Sequence, residues 1–288
     1  MKNKYKDLEI KSLWNDEAYD ASSMECCAFC RGTDVWRGIE LSVGNMVSGY
    51  PFEVEGVRFH NSESAYIAAA FSQGTAEHLA IQRELVDCRN GFLAKKGIRR
   101  PNTHLMRGDW EEFNVAWMLY VVWCKCLGNS DFARKLMSIP RDVVIIENST
   151  FQNGATATFW GTRNDELKRL TLGLKRALKA QGWSKAAIKR EADARRLGEW
   201  LTVGVFRGKN VMGKILMACR EALLTGVPPA IDYDCLAAAH ITLLGKPLTF
   251  GRSVPPLAAW RLSSAQPLAQ KALLAAAEPL FTPQHKQI

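Results

Sequence analysis

The sequence predicts a mainly helical α+β domain with a few short strands. Three observations carry that expectation. Residues 110–130, WEEFNVAWMLYVVWCKCLGNS, are apolar nearly all round, as a central buried helix requires. Apolar residues also recur at helical spacing over 76–86 and 167–178. Strand-like stretches are brief: 52–59 alternates around Glu55-Gly56, and Val143 to Ile146 is a short apolar run ending at Glu147.

The chain has 288 residues, enough for one large domain or two small ones. It is 47% hydrophobic and 23% charged, which is ordinary globular composition. The net charge of +9 suits a phosphate-bearing partner without identifying one. The longest uncharged apolar run, 115–124, is too short to span a bilayer, so no membrane partner is expected. The N-terminus has no apolar core of the signal-peptide kind, and the expected location is cytoplasmic. The 8 scattered cysteines fit reduced thiols. Cys27 and Cys30 have half a zinc-site spacing, but no second pair accompanies them, so no metal is expected. No Walker loop, Rossmann fingerprint or Ser-His-Asp constellation occurs.

In chain order, residues 1–28 read as a polar N-terminal arm. The 52–59 hairpin follows, and then a helix capped by Asn61 or Ser62. Glu63 falls in its first turn, where the helix dipole favours a carboxylate. The alanines at 65, 68, 69 and 70 permit close packing against another element. A helix over 76–86 breaks at Asn90-Gly91. Asp109 is placed to cap the central helix, and Asp131 a short one after it. Lys125, near the end of the central helix, reads most plainly as a snorkelling side chain paired with the negative helix end.

The segment 162–202 carries 11 Lys/Arg against 5 Asp/Glu, two thirds of the net charge. Leu167, Leu170, Leu174 and Leu178 fall on one face of a first helix, and Ser184 caps a second. A turn at Gly208–Asn210 then opens a helix in which Gly213 allows close packing and Asn210 caps the start. Residues 223–288 read as a C-terminal extension with helices near 230–244 and 267–281, and with His240 as a core residue.

Several of these segments resemble the NADAR family, in the same order as in that family. Ser62-Glu63-x-x-Tyr66-x-Ala68-x-x-Phe71 is one, and Ala94-Lys95-Lys96-Gly97 another. Arg107-x-Asp109-Trp110, Trp160-Gly161 and Gly208-x-Asn210-x-Met212-Gly213-x-Ile215-Leu216-Met217-x-x-Arg220 complete the set. The resemblance spans 29–222, with 162–202 as a basic helical insertion. It implies a single domain that cleaves the N-glycosidic bond between a ribose and a base, in ADP-ribosylated nucleobases or related ribosylated metabolites, without a cofactor.

On that resemblance, Glu63, Lys95 and Asp109 are the expected catalytic residues. Arg31, Asn45, Trp110, Lys125, Glu147, Trp160 and Asn210 are the expected substrate contacts. Breaking an N-glycoside builds positive charge at the anomeric carbon, which a carboxylate stabilises while an acid protonates the departing base. Glu63 suits that work, and Lys95 suits a Schiff-base nucleophile beside a basic cluster. Polar family positions are occupied here by Ser64, Ile67, Ala70 and Ala157. Two alternatives therefore stay open: a non-catalytic binder of ADP-ribose or nucleotides, and a nucleic-acid-binding protein acting through 162–202.

Overall fold

A computed structural model describes residues 15–154 and 156–250. The chain begins with β1 (Glu17–Asp20), β2 (Cys26–Phe29) and a minimal hairpin, β3 (Val35–Trp36) and β4 (Ile39–Glu40). A second hairpin, β5 (Phe52–Val54) and β6 (Val57–Phe59), leads into α1 (Ser62–Ala69), α2 (Ala76–Asp87) and α3 (Gly91–Leu93). α3 continues as a π-helical turn over Ala94–Arg99. Next come α4 (Trp110–Gly128), α5 (Ser130–Met137), β7 (Val144–Glu147) and α6 (Thr156–Trp160). The chain goes on through α7 (Asp165–Ala180), α8 (Lys185–Leu197), β8 (Val205–Gly208) and α9 (Val211–Thr225). α10 (Tyr233–Ala238) and a last hairpin, β9 (Thr242–Leu243) and β10 (Lys246–Pro247), follow. The fold is mainly helical α+β. None of the described helices is long and apolar enough to cross a membrane.

α4 is the axis of the core. Trp117, Val121, Val122 and Trp123 are buried around its circumference, so neighbours must cover it on every side. α1, α5, α9, α10 and β5 do so. α1 fits closely because its outer surface is alanine: Ala65, Ala68, Ala69 and Ala70 are fully buried. The Trp117 indole N–H donates to the Ala65 and Tyr66 carbonyls at 3.2 Å, which ties α4 to α1.

The strands form small ladders that tie distant parts of the chain together. β2 and β7 are parallel, with Phe29 opposite Glu147, and β1 and β8 are antiparallel, with Glu17 opposite Gly208. Single bridges, Asn148 with Thr162 and Arg163 with Arg207, connect the two pairs. α9 lies against β7, and Gly213 makes that possible. A Cβ there would stand 2.2 Å from the Ile145 carbonyl oxygen.

Four expectations need correction. The described part of the expected N-terminal arm, 15–28, belongs to the fold, because β1 and β2 find partners in β8 and β7 far along the chain. The boundary at 222 cuts through α9, and 226–250 cover α1 and α4 instead of extending from them. The helix expected over 230–244 is only α10. His240 ends that region in a left-handed conformation (φ 46) and is exposed, and Thr242 and Leu243 beyond it form β9. Gln82 holds this hairpin in place, donating to the Thr242 carbonyl at 2.8 Å and accepting from the Leu244 N–H at 2.7 Å. The helix expected at 267–281 lies outside the described residues.

Candidate active site

A cavity of about 530 Å³ lies among α1, the π-helical turn, α4, β7 and α6. That volume suits a nucleotide-sized ligand. Its aromatic wall is Tyr66, Phe159 and Trp160, with Met46, Met118 and Met212 filling the gaps between polar groups. Tyr66 and Trp160 meet edge to face at 5.4 Å between centroids.

Glu63 enters the cavity from the first turn of α1. Asn61 caps that helix, accepting from the Ser64 N–H at 2.8 Å, which leaves the Glu63 carboxylate free of capping duty. Asn45 holds Glu63 twice. Its carbonyl accepts the Glu63 N–H at 3.0 Å, and its side-chain amide donates to the carboxylate. Burial pushes the Glu63 carboxyl above its ordinary range, and the Lys95 and Arg99 charges pull the other way.

Glu147 enters from the end of β7. Its N–H donates to the Asn210 side-chain oxygen at 3.0 Å, while the Asn210 amide donates to the Ile145 carbonyl at 2.8 Å. Asn210 is fully buried and left-handed (φ 51), and it pins the edge of β7 to α9. It stands at the N-cap position of α9, as expected from sequence, but its side chain makes no cap bond and it does not line the cavity. Its task is to fix where Glu147 points. Desolvation raises the Glu147 carboxyl to about 7; Lys95 opposes this and the Glu63 charge adds to it.

Lys95 and Arg99 come from the π-helical turn, where the Arg100 N–H donates to the Lys95 carbonyl at 3.3 Å. The wide turn keeps both cations on the cavity side. Asn90 starts this helix by accepting from the Phe92 and Leu93 N–H groups, so the break read at Asn90-Gly91 is a helix start. Gly91 lets the backbone approach Met46 closely; a Cβ would lie 2.6 Å from the Met46 Cα.

Of the expected site residues, Glu63, Lys95, Asn45, Glu147 and Trp160 line the cavity. The others do not. The Asp109 carboxylate is clamped by the Arg107 guanidinium through two bonds of 2.6 Å and makes no cap bond. Arg107 also reaches Ser72 and the Ala239 carbonyl, so Arg107-x-Asp109 clamps these segments together, away from the cavity where a catalytic carboxylate was expected. Trp110 is buried behind Tyr66 at 4.8 Å and supports the wall without facing the ligand space. Arg31 forms a surface ion pair with Asp193 of α8.

Lys125 is fully buried, and its Nζ has no hydrogen-bond partner among the described residues. It lies 4.1 Å from the Phe132 ring centroid and 5.3 Å from that of Tyr50. Desolvation brings it down to about 7. It cannot snorkel because α5 and β5 pack over that end of α4. Met118, on the same helix face, does line the cavity, but seven residues advance the helix by about 10 Å. That step takes Lys125 past the cavity floor.

Sequence reasoning missed Tyr66, Arg99, Glu111, Asn114 and Lys209 as lining residues. The Glu111, Asn114 and Met118 spacing carried a usable signal, since i, i+3 and i+7 share one helix face. None of the lining residues comes from 162–202. Part of that segment's charge is structural: Arg196 pairs with the buried Asp34 at 2.6 Å, and Arg195 bridges Glu191 and Glu199. Cys27 is buried and Cys30 exposed, and no cluster of three or more metal-ligating side chains occurs among the described residues. A scan against known families finds no family model that matches the chain, and a search of curated proteins finds no match.

Proposed function

We propose that this protein hydrolyses an N-glycosidic bond between a ribose and a base, in an ADP-ribosylated nucleobase or a related ribosylated metabolite. The observation that supports this best is the meeting of Glu63 and Glu147, from separate elements, in one aromatic-walled cavity with Lys95 and Arg99. The two carboxyls have different surroundings. Burial raises the Glu63 carboxyl, as it does that of Glu147, but at Glu63 the Asn45 amide donates to it and the Lys95 and Arg99 charges oppose the rise. Glu147 keeps its proton to about pH 7, so the acid role falls to it and the carboxylate role to Glu63, which has the amide donor and the second cation.

In this scheme the ring stacks against Tyr66 and Trp160. Glu147 gives its proton to the departing base nitrogen as the C–N bond breaks. The Glu63 carboxylate stabilises the positive charge growing at the anomeric carbon and takes a proton from the water that adds there. Lys95 and Arg99 supply the cations for substrate phosphates. In the alternative role Lys95 acts as the neutral amine and attacks the opened sugar aldehyde, forming a Schiff base with loss of water.

The test is a turnover screen over ADP-ribosylated guanine, NAD and ribosylated pyrimidine intermediates, reading release of free base. Cleavage of any of these that is lost in Glu63→Gln and Glu147→Gln supports the proposal. Saturable ADP-ribose binding without release of base supports the second reading, a non-catalytic binder. That reading is favoured by the buried Ala157 where an acid is expected.

A further inference from the structure

Ser149 stands two residues after Glu147 and lines the same cavity. β7 ends at Glu147, and Asn148 continues it in a bridge with Thr162, so the backbone stays extended. In an extended chain residues i and i+2 point to one side, about 7 Å apart along the strand. The Glu147 carboxyl and the Ser149 side chain therefore enter the cavity from one side. Asn148 turns the other way, and its Oδ1 accepts from the Thr150 N–H at 3.1 Å.

The hydroxyl has no task within the described protein. Ser149 is 1% exposed, and its Oγ makes no hydrogen bond among the described residues. The backbone settles the loop without it: the Ser149 N–H donates to the Thr162 carbonyl at 2.9 Å, and the Ser149 carbonyl accepts from the Gln152 N–H at 2.9 Å. Packing closes off the unmatched Asn114 Oδ1 and Lys125 Nζ, but it does not close off Ser149 Oγ, which opens into the cavity. Gly161 leaves room for it; a Cβ there would stand 2.6 Å from Ser149 Oγ.

An alanine would pack this loop as well, so a hydroxyl here asks for a reason. A ligand that displaces water from the cavity has to match the hydroxyl or leave it unsatisfied. The charged groups of the proposed mechanism have other roles: Glu63 and Glu147 flank the bond to be broken, and Lys95 and Arg99 suit phosphates. The ribose hydroxyls are the polar groups of the ligand still without a partner, and they lie beside the anomeric carbon that Glu147 serves. Each both gives and takes hydrogen bonds, as a serine hydroxyl does.

We infer that Ser149 reads the sugar: its hydroxyl bonds a ribose hydroxyl near the anomeric carbon and makes the site prefer ribose over deoxyribose. The inference rests on the N-glycosidase reading for the placement of the sugar, but its test reads binding and needs no turnover.

The experiment is calorimetric titration of the full chain with the 5′-monophosphates of adenosine, guanosine and uridine, each in its ribose, 2′-deoxy and 3′-deoxy form. For at least one base the wild type should bind the ribose form about 10-fold more tightly than one of the deoxy forms, the worth of one buried hydrogen bond. The deoxy form that loses affinity identifies the hydroxyl that Ser149 holds.

Ser149→Ala should bring the ribose form down to the affinity of that deoxy form and leave the deoxy form's own affinity unchanged. The melting temperature should hold, because no hydrogen bond among the described residues is lost. Ser149→Cys nearly keeps the shape but offers only a weak donor, so it should shrink the preference even if Ser149→Ala does not fold. Absence of binding by every probe, no ribose preference in the wild type, or a preference that survives in the folded variants overturns the inference. So does a variant that changes the choice among bases and leaves the choice of sugar alone. A ribose preference that depends on Ser149, without cleavage of any substrate, keeps the sugar contact and removes the glycosidase reading. Cleavage by a protein whose sugar preference ignores Ser149 does the reverse.

Discussion

Glu147→Gln separates the electrostatics of the site from its chemistry. The Glu147 carboxyl is raised from 4.5 to about 7 in the folded protein, chiefly by desolvation, which corresponds to about 3 kcal/mol between its protonated and ionised forms. Between these two values the unfolded chain has lost this proton and the folded chain has kept it. Stability therefore falls as pH rises through that window, and the deficit is complete above about pH 7. Glutamine has nearly the same shape and cannot ionise. The variant should match the wild type at about pH 4 and exceed it by up to about 3 kcal/mol at about pH 8. Urea unfolding followed by circular dichroism, at fixed ionic strength across that range, measures the difference. Parallel pH profiles for the two proteins would refute the placement of Glu147 in a desolvated, protonated state. On substrate, the wild-type kcat/KM should fall as pH rises through about 7, and the variant should lose turnover by at least about a hundredfold.

Other perturbations test the remaining parts. Glu63→Gln should fold and lose turnover by at least about a hundredfold, and full activity in the folded variant removes Glu63 from the mechanism. If Lys95 is the nucleophile, borohydride added during turnover should trap a sugar adduct on it, read by peptide mass; a label on Lys125 instead contradicts the wall that separates it from the cavity. Lys125 is lowered from 10.5 to about 7, so its burial weakens the fold fully below pH 7 and progressively less up to about 10.5. Lys125→Met should thus raise the melting temperature at pH 6 by more than at pH 10, and an equal rise at both values counts against a strained cation. Lys175 of α7 lies over the Phe151 ring at 5.2 Å, next to the cavity-lining Gln152. If that face holds nucleic acid, changing Lys175, Arg176 and Lys179 to Gln should flatten the salt dependence of binding by roughly 2 units. Activity on a small nucleoside substrate should stay the same.

Local pattern was enough for the helical core. α4 could be read because its apolar residues leave no face for water, and α1 because Asn61, Glu63 and the alanines specify a start, a charge and a close contact. The 52–59 hairpin and the β7 run ending at Glu147 were legible for the same reason: turn chemistry and alternation act over a few residues. β1 was not legible, since a four-residue polar strand is defined by its partner, and that partner is β8. The same non-local packing decided the chemistry. Asp109 and Glu63 are both carboxylates in or beside the first turn of a helix. Arg107 neutralises one, while the other faces a cavity that α4, β7 and the π-helical turn close around it. Lys95 and Lys125 look alike in sequence, yet one lines the site and the other is sealed beneath α5. Charge type is written residue by residue, but the solvent each charge keeps or loses depends on elements that arrive from elsewhere in the chain.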